Sequence, residues 1–142
     1  MNPSKSNYKI LKNHNIIVEY HEGTLDLNSY ISFKTLVFNN PFYSSSLNYI
    51  VNFKNVNMNA NFNDVEKYID HLKQIPKVLG KKRVALLTRT PNQIVPSTIY
   101  KMKEAELSHS VGIFSTYESA LNWLQTDLTS NELINIFIEL KK

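Results

Sequence analysis

Arg83-Val-Ala-Leu-Leu-Thr88, then Val111-Gly-Ile-Phe114, then Ser115-Thr-Tyr-Glu118-Ser-Ala-Leu-Asn-Trp123-Leu124 decide the architecture of this chain. The first two are short apolar runs rich in β-formers, the pattern of strands buried on both faces. The third opens on a Ser-x-x-Glu capping box and continues at helical spacing. Between the strands, Ile94, Ile99, Met102 and Ala105 suggest a helix, with Pro96 in its first turn or a preceding one. Strand, helix, strand, helix implies a parallel sheet covered by crossover helices.

The same order extends toward the N-terminus. Leu47 to Phe53 is a near-continuous apolar run and reads as a central strand. Asn55 to Asn61 follows as a polar loop. Asn63 and Glu66 cap a helix whose stripe is Val65, Ile69, Leu72 and Ile75, and Pro76 ends it. Leu25 to Phe38 reads as another helix with Leu27, Ile31, Thr35 and Phe38 on one face. Tyr8 to Leu11 and Ile16 to Tyr20, joined by the turn Lys12-Asn-His-Asn15, form an antiparallel hairpin. Gly23 is where the chain turns out of the second strand. Residues 1–7 are a disordered lead-in. The tail, 126–142, matches a helix capped by Thr129 and Glu132, although Ile134, Ile136 and Ile138 alternate as in a strand. The expected fold class is therefore α/β: an N-terminal antiparallel hairpin, then parallel strands, with crossover helices.

Composition narrows the chemistry. The 142 residues suit a single domain. No cysteine is present, which removes disulfides, thiolate catalysis and Cys-type metal sites. A net charge of +4 is mild, and Lys81-Lys82-Arg83, the one tight basic cluster, reads as a solvated lead-in to a strand. A nucleic-acid groove needs more Lys and Arg interleaved with aromatics, so no nucleic acid is expected. No apolar run reaches the length of a membrane span, and the polar Met1–Asn7 lacks a signal-peptide core. The expected location is cytoplasmic.

No catalytic constellation can be spelled from these residues. The four histidines lack metal-binding spacing, and His21-Glu22 reads as a polar strand end. Ser110 and His109 are strand neighbours on opposite faces. Glu19 with Glu22, and Glu104 with Glu106, read as surface charges. Three glycines cannot build a phosphate-binding loop. The chain reads as a non-enzyme that uses no cofactor or metal.

Ile17-Val-Glu-Tyr20-His-Glu-Gly23, the strand Tyr49 to Phe53, Arg83-Val-Ala-Leu86 and Phe114-Ser-Thr-Tyr-Glu118-Ser-Ala120-Leu-Asn-Trp-Leu124 together resemble the SpoIIAA-like, or STAS-like, domains of bacteria. The resemblance covers residues 8–125, with 126–142 as a helical extension that packs on the domain or joins a second copy as a homodimer. It implies a regulatory, protein-interaction module with a protein partner. Related folds also bind lipids, which makes a small apolar ligand the alternative. Those domains carry their phosphorylatable Ser or Thr after a central strand, and Asn55 to Asn63 here contains neither. Loops at the carboxyl ends of parallel strands are the usual ligand site. The candidate binding residues are therefore Asn55, Asn57, Asn59, Thr88, Arg89 and Thr90.

Overall fold

A computed structural model describes residues 3–142. It contains five strands, β1 (Lys5–Leu11), β2 (Ile16–Asp26), β3 (Asn48–Asn59), β4 (Lys82–Leu87) and β5 (His109–Phe114). Five α-helices accompany them: α1 (Leu27–Phe38), α2 (Phe62–Lys73), α3 (Pro91–Met102), α4 (Tyr117–Leu124) and α5 (Ser130–Lys141). The sheet order is β1-β2-β3-β4-β5; β1 pairs antiparallel with β2, and every later pair is parallel. This is the mixed α/β sheet expected from the order of elements.

Successive right-handed crossovers in one direction put their helices on one face of the sheet. Alternation along the strands shows the result. Ile17, Tyr49, Val51, Val84, Leu86 and Val111 pack with α1, α2 and α3, whereas Ile16, Val18, Tyr20, Ile50, Ala85 and Leu87 pack under α4 and α5. The molecule is thus helix layer, sheet, helix layer, with one apolar core on each side. The tail is a helix, capped by Thr129 and Glu132, and buries Leu133, Ile136, Phe137 and Leu140.

Several local expectations change. Lys5, Ser6 and Asn7 belong to β1, because their backbone pairs with Glu22, His21 and Tyr20; residues 1 and 2 of the expected lead-in lie outside the described residues. β2 runs on to Asp26, which caps α1 by accepting from the Ser29 N–H at 2.8 Å. Asn55 to Asn59 are strand, not loop, because the prolonged β2 supplies hydrogen-bonding partners as far as Asp26↔Asn59. The α2 cap is Asn61 with Asp64, and the α4 cap is Thr116. Pro96 lies inside α3.

One irregularity sets which way the distal residues of β3 point. Between Tyr20/Asn52 and Glu22/Asn55, β3 spends one residue more than β2, a β-bulge. The Asn52 Oδ1 accepts from the Lys54 N–H at 3.0 Å and closes it. Before the bulge odd-numbered residues face α1–α3; after it even-numbered residues do, as Val56 and Met58 show.

Gly23 sits within β2 rather than at its exit, at φ +82°. A Cβ placed there would meet the Pro3 carbonyl oxygen at 2.1 Å. Both the left-handed backbone and the close approach of residues 3 and 4 require glycine. Gly23→Ala is expected to destabilise the fold by more than about 1 kcal/mol and to expose the N–H groups of β1, read by urea denaturation and amide exchange.

Candidate functional site

A buried charge network lies under α1. Alternation puts Glu19 and His21 of β2 on the α1 side, and both are fully buried. Lys34 reaches them from α1: its Nζ contacts Glu19 Oε2 at 2.5 Å. His21 Nε2 lies 2.9 Å from Glu19 Oε1, Ser6 Oγ lies 2.7 Å from His21 Nδ1, and the Tyr30 hydroxyl donates to Glu19 Oε1 at 3.3 Å. Burial alone would raise the Glu19 pKa, but the Lys34 ammonium and the His21 and Lys34 hydrogen bonds reverse this and hold it below the usual carboxylate range. Burial pushes His21 down despite Glu19, so the imidazole is neutral: Nε2–H donates to the carboxylate and Nδ1 accepts from Ser6.

Ser6, His21 and Glu19 share the connectivity of a nucleophile, base and acid. A base must take up a proton, and desolvation opposes that at His21. With no surface exposed, the imidazole presents no face to a substrate. The network fastens β1, β2 and α1 together. It also corrects the assignments of Glu19 to the surface and His21 to a polar strand end. The buried stripe of α1 is Phe33, Lys34, Val37 and Phe38, rotated from the expected one because Lys34 has a carboxylate to meet inside.

Beside this network is a cavity of about 100 Å³ between the sheet and α1, α2 and α3. Tyr30, Tyr49, Phe53, Tyr68, Leu86 and Tyr100 are among its walls. Its outer end, at Leu25, Leu27, Met58 and Ala60, lies by the carboxyl ends of β2 and β3. The inner end reaches Val78, Val84 and His109. Burial raises the phenol pKa of Tyr30, Tyr49, Tyr68 and Tyr100, so these rings present neutral hydroxyls.

One polar side chain, His109, lines the inner end, and a second, Lys82, is its cross-strand neighbour behind the cavity wall. His109 is held down to about 4 by burial; its Nε2 is 3.1 Å from the Val78 carbonyl and its Nδ1 is 3.3 Å from the Tyr100 hydroxyl. The neutral ring is therefore satisfied on both sides. Lys82 is only 5 % exposed, which corrects its reading as a solvated lead-in. It precedes Val84 and Leu86 on the cavity side of β4. Its Nζ reaches the Tyr43 hydroxyl at 3.5 Å and lies 5.8 Å from the ring centres of Tyr43 and Tyr49. Among the described residues no carboxylate pairs with it. Desolvation, with the nearby Lys34 charge, lowers its pKa to about 8.

The residues singled out from sequence lie elsewhere. Past the bulge, Asn55, Asn57 and Asn59 share the α4–α5 side of β3, opposite the cavity. Asn55 donates to the Tyr20 hydroxyl at 3.0 Å and accepts from the Arg89 guanidinium at 3.1 Å, so these two do meet. Asn57 and Asn59 are exposed, Thr88 is buried, and Thr90 caps α3. Gln93 was not anticipated. Its amide donates to the Lys54 and Val56 carbonyls at 3.0 and 2.9 Å, while its oxygen accepts from the Arg89 N–H at 2.7 Å. It clamps the bulge to α3. The buried face of α3 is accordingly Gln93 and Ser97, whereas Ile94 and Met102 are exposed.

Among the described residues no group of three or more His, Asp or Glu side chains is placed to hold a metal ion. Likewise, no helix is long and apolar enough to cross a membrane.

The architecture has a counterpart among solved structures. The chain is similar to an uncharacterised protein of the DUF3478 family with a SpoIIAA-like fold from Shewanella loihica PV-4. The TM-score is 0.54 at 13% sequence identity, covering 87% of this chain and 95% of that one. The fold of this protein is SpoIIAA-like, as the sequence resemblance implied. No family model matches the chain, and no curated protein does.

Two stability predictions follow from the charges. Lys34→Met, which strands the Glu19 carboxylate in the core, is expected to destabilise by about 3–5 kcal/mol; replacing Glu19 by Leu at the same time should recover part of this, read by urea denaturation. Lys82 acts in the opposite sense. Its folded pKa is depressed, so from about pH 8 toward 10 the unfolded chain holds a proton that the folded one does not, and stability gains with pH. Lys82→Met should raise stability at pH 7 by on the order of 2 kcal/mol and abolish that gain, read as thermal midpoints of both proteins across this range.

Proposed function

We propose that this protein is a non-enzymatic regulatory module that binds a small apolar molecule between its sheet and its α1–α3 layer, and signals occupancy to a protein partner. The observation that carries this reading is the cavity walled by aliphatic and neutral aromatic side chains. Its outer end lies at the carboxyl ends of parallel strands, where open α/β sheets bind ligands. At about 100 Å³ it approaches the ~150 Å³ of an apolar protein cavity that takes up benzene. A ligand of about that size fits with small movements of the lining side chains.

The path to a partner runs through Gln93. Ser97 and Pro96 line the cavity, the Ser97 hydroxyl donates to the Gln93 carbonyl at 2.8 Å, and Gln93 grips the bulge that sets the pointing of Asn55, Asn57 and Asn59. A shift of α3 on filling the cavity would therefore reach this polar ledge and Arg89. The partner is a protein that reads the ledge.

The test is a thermal unfolding series with benzyl alcohol and hexan-1-ol. At a hundredfold excess over Kd, binding to the folded state adds about 2.7 kcal/mol, so a saturable rise in midpoint is expected. Val65→Phe, which adds bulk at the cavity wall, should remove most of that rise. A wild-type midpoint unmoved by either probe, or an undiminished shift in the variant, would overturn the cavity reading.

A further inference from the structure

Beside the inner end of the cavity lies more positive charge than is paired: Lys34 is one of the walls, and Lys82 lies just behind them, next to the wall residues Tyr49 and His109. Two ammonium groups, those of Lys34 and Lys82, lie around the Tyr49 ring, at 4.3 and 5.8 Å from its centre. One carboxylate, Glu19, answers them, and it is bound to Lys34. His109, the cross-strand partner of Lys82, is neutral and already satisfied. Lys82 is left with a long contact to a phenol.

A buried charge is ordinarily paired, because removing an ion from water is costly. Lys34 obeys this rule and Lys82 does not. A methionine of similar length would pack the same space without the desolvation penalty. Beyond its long hydrogen bond to Tyr43 and its place beside two rings, Lys82 has no partner in the fold that matches its charge, and the missing partner is an anion. Position narrows the anion further. Lys82, Val84 and Leu86 stand in one row on the cavity face of β4, and Val84 and Leu86 line the cavity. Lys82 itself is not a wall residue, so an anion held in the cavity reaches its ammonium by a small displacement of the Tyr49 ring, which lies between them. At the outer end Asp26 and Asp64 repel a negative head and favour its inward orientation. The Tyr49 hydroxyl donates to the Tyr43 hydroxyl at 3.1 Å, which leaves the Tyr43 O–H as a neutral donor near the ammonium.

We propose that the ligand of this module is a small apolar carboxylate, seated with its hydrocarbon part in the aromatic cavity and its carboxylate paired with Lys82. This deepens the cavity reading and rests on it.

Calorimetric titration with sodium benzoate and, separately, benzyl alcohol at pH 7 tests the assignment. The expected result is benzoate binding at least tenfold tighter than benzyl alcohol. Lys82→Met should lose at least tenfold for benzoate while benzyl alcohol stays within about twofold. Should the variant not fold, heteronuclear NMR of the wild-type Lys82 amine decides: benzoate must raise its titration midpoint and benzyl alcohol must leave it in place. Benzoate no tighter than benzyl alcohol, equal benzoate affinity in Lys82→Met, or an amine that does not respond to benzoate would overturn the carboxylate assignment alone. Failure of both probes to bind would overturn the cavity reading and this inference with it.

Discussion

The contact between Lys34 and Glu19 governs the arrangement of the α1 side. Glu19 lies in the middle of the longest parallel pairing of the sheet, where water cannot reach it. Its charge is tolerable there because an ammonium, an imidazole N–H and a phenol converge on its two oxygens. The ammonium arrives from a helix, the imidazole from the same strand, and a serine of the neighbouring strand steadies the imidazole. Three elements are thereby held in one register. The orientation of α1 follows from it: with Lys34 turned inward, Tyr30 and Phe38, one turn to either side, turn inward too and become cavity wall.

Lys34 and Lys82 contrast two uses of the same side chain. The first is matched in charge and hydrogen bonding and acts as a fastener. The second is set among rings, and among the described residues no carboxylate pairs with it, so no opposite charge offsets its burial. Residues that cost stability without a structural return are common at binding sites, where preorganised charge is held ready for something that arrives later. Covering both sheet faces with helices makes this possible, since Lys82 can be kept out of water while the outer end of the cavity stays near the loops.

Much of the architecture was legible from hydrophobic periodicity. Leu47 to Phe53, Arg83 to Thr88 and Val111 to Phe114 announce buried strands, and the Thr129–Glu132 cap outweighs the alternating isoleucines of the tail. The site was far less legible, for three physical reasons. Periodicity counts apolar residues, so it placed Lys82 in solvent and passed over Lys34 and Gln93, although each is buried. A bulge leaves no apolar signature, and the one in β3 reverses the facing of every residue beyond it; this is why the Asn55–Asn59 ladder points away from the cavity. Pairing also lengthens strands beyond their own propensity: polar Asn57 and Asn59 are strand because Thr24 and Asp26 run alongside. Asn55 and Arg89 do converge, because both lie where the shorter β4 ends beside the prolonged β3.

The two faces of the sheet are covered at different times as the chain emerges from a ribosome. Each of α1, α2 and α3 lies between two strands in sequence, so it can dock while the sheet is still growing. The opposite face, with Ile16, Val18, Tyr20, Ile50, Ala85 and Leu87, has no roof until α4 and α5 have been synthesised. Until then the growing sheet shows one bare greasy side, the kind of surface that recruits holding chaperones or sticks to neighbouring nascent chains.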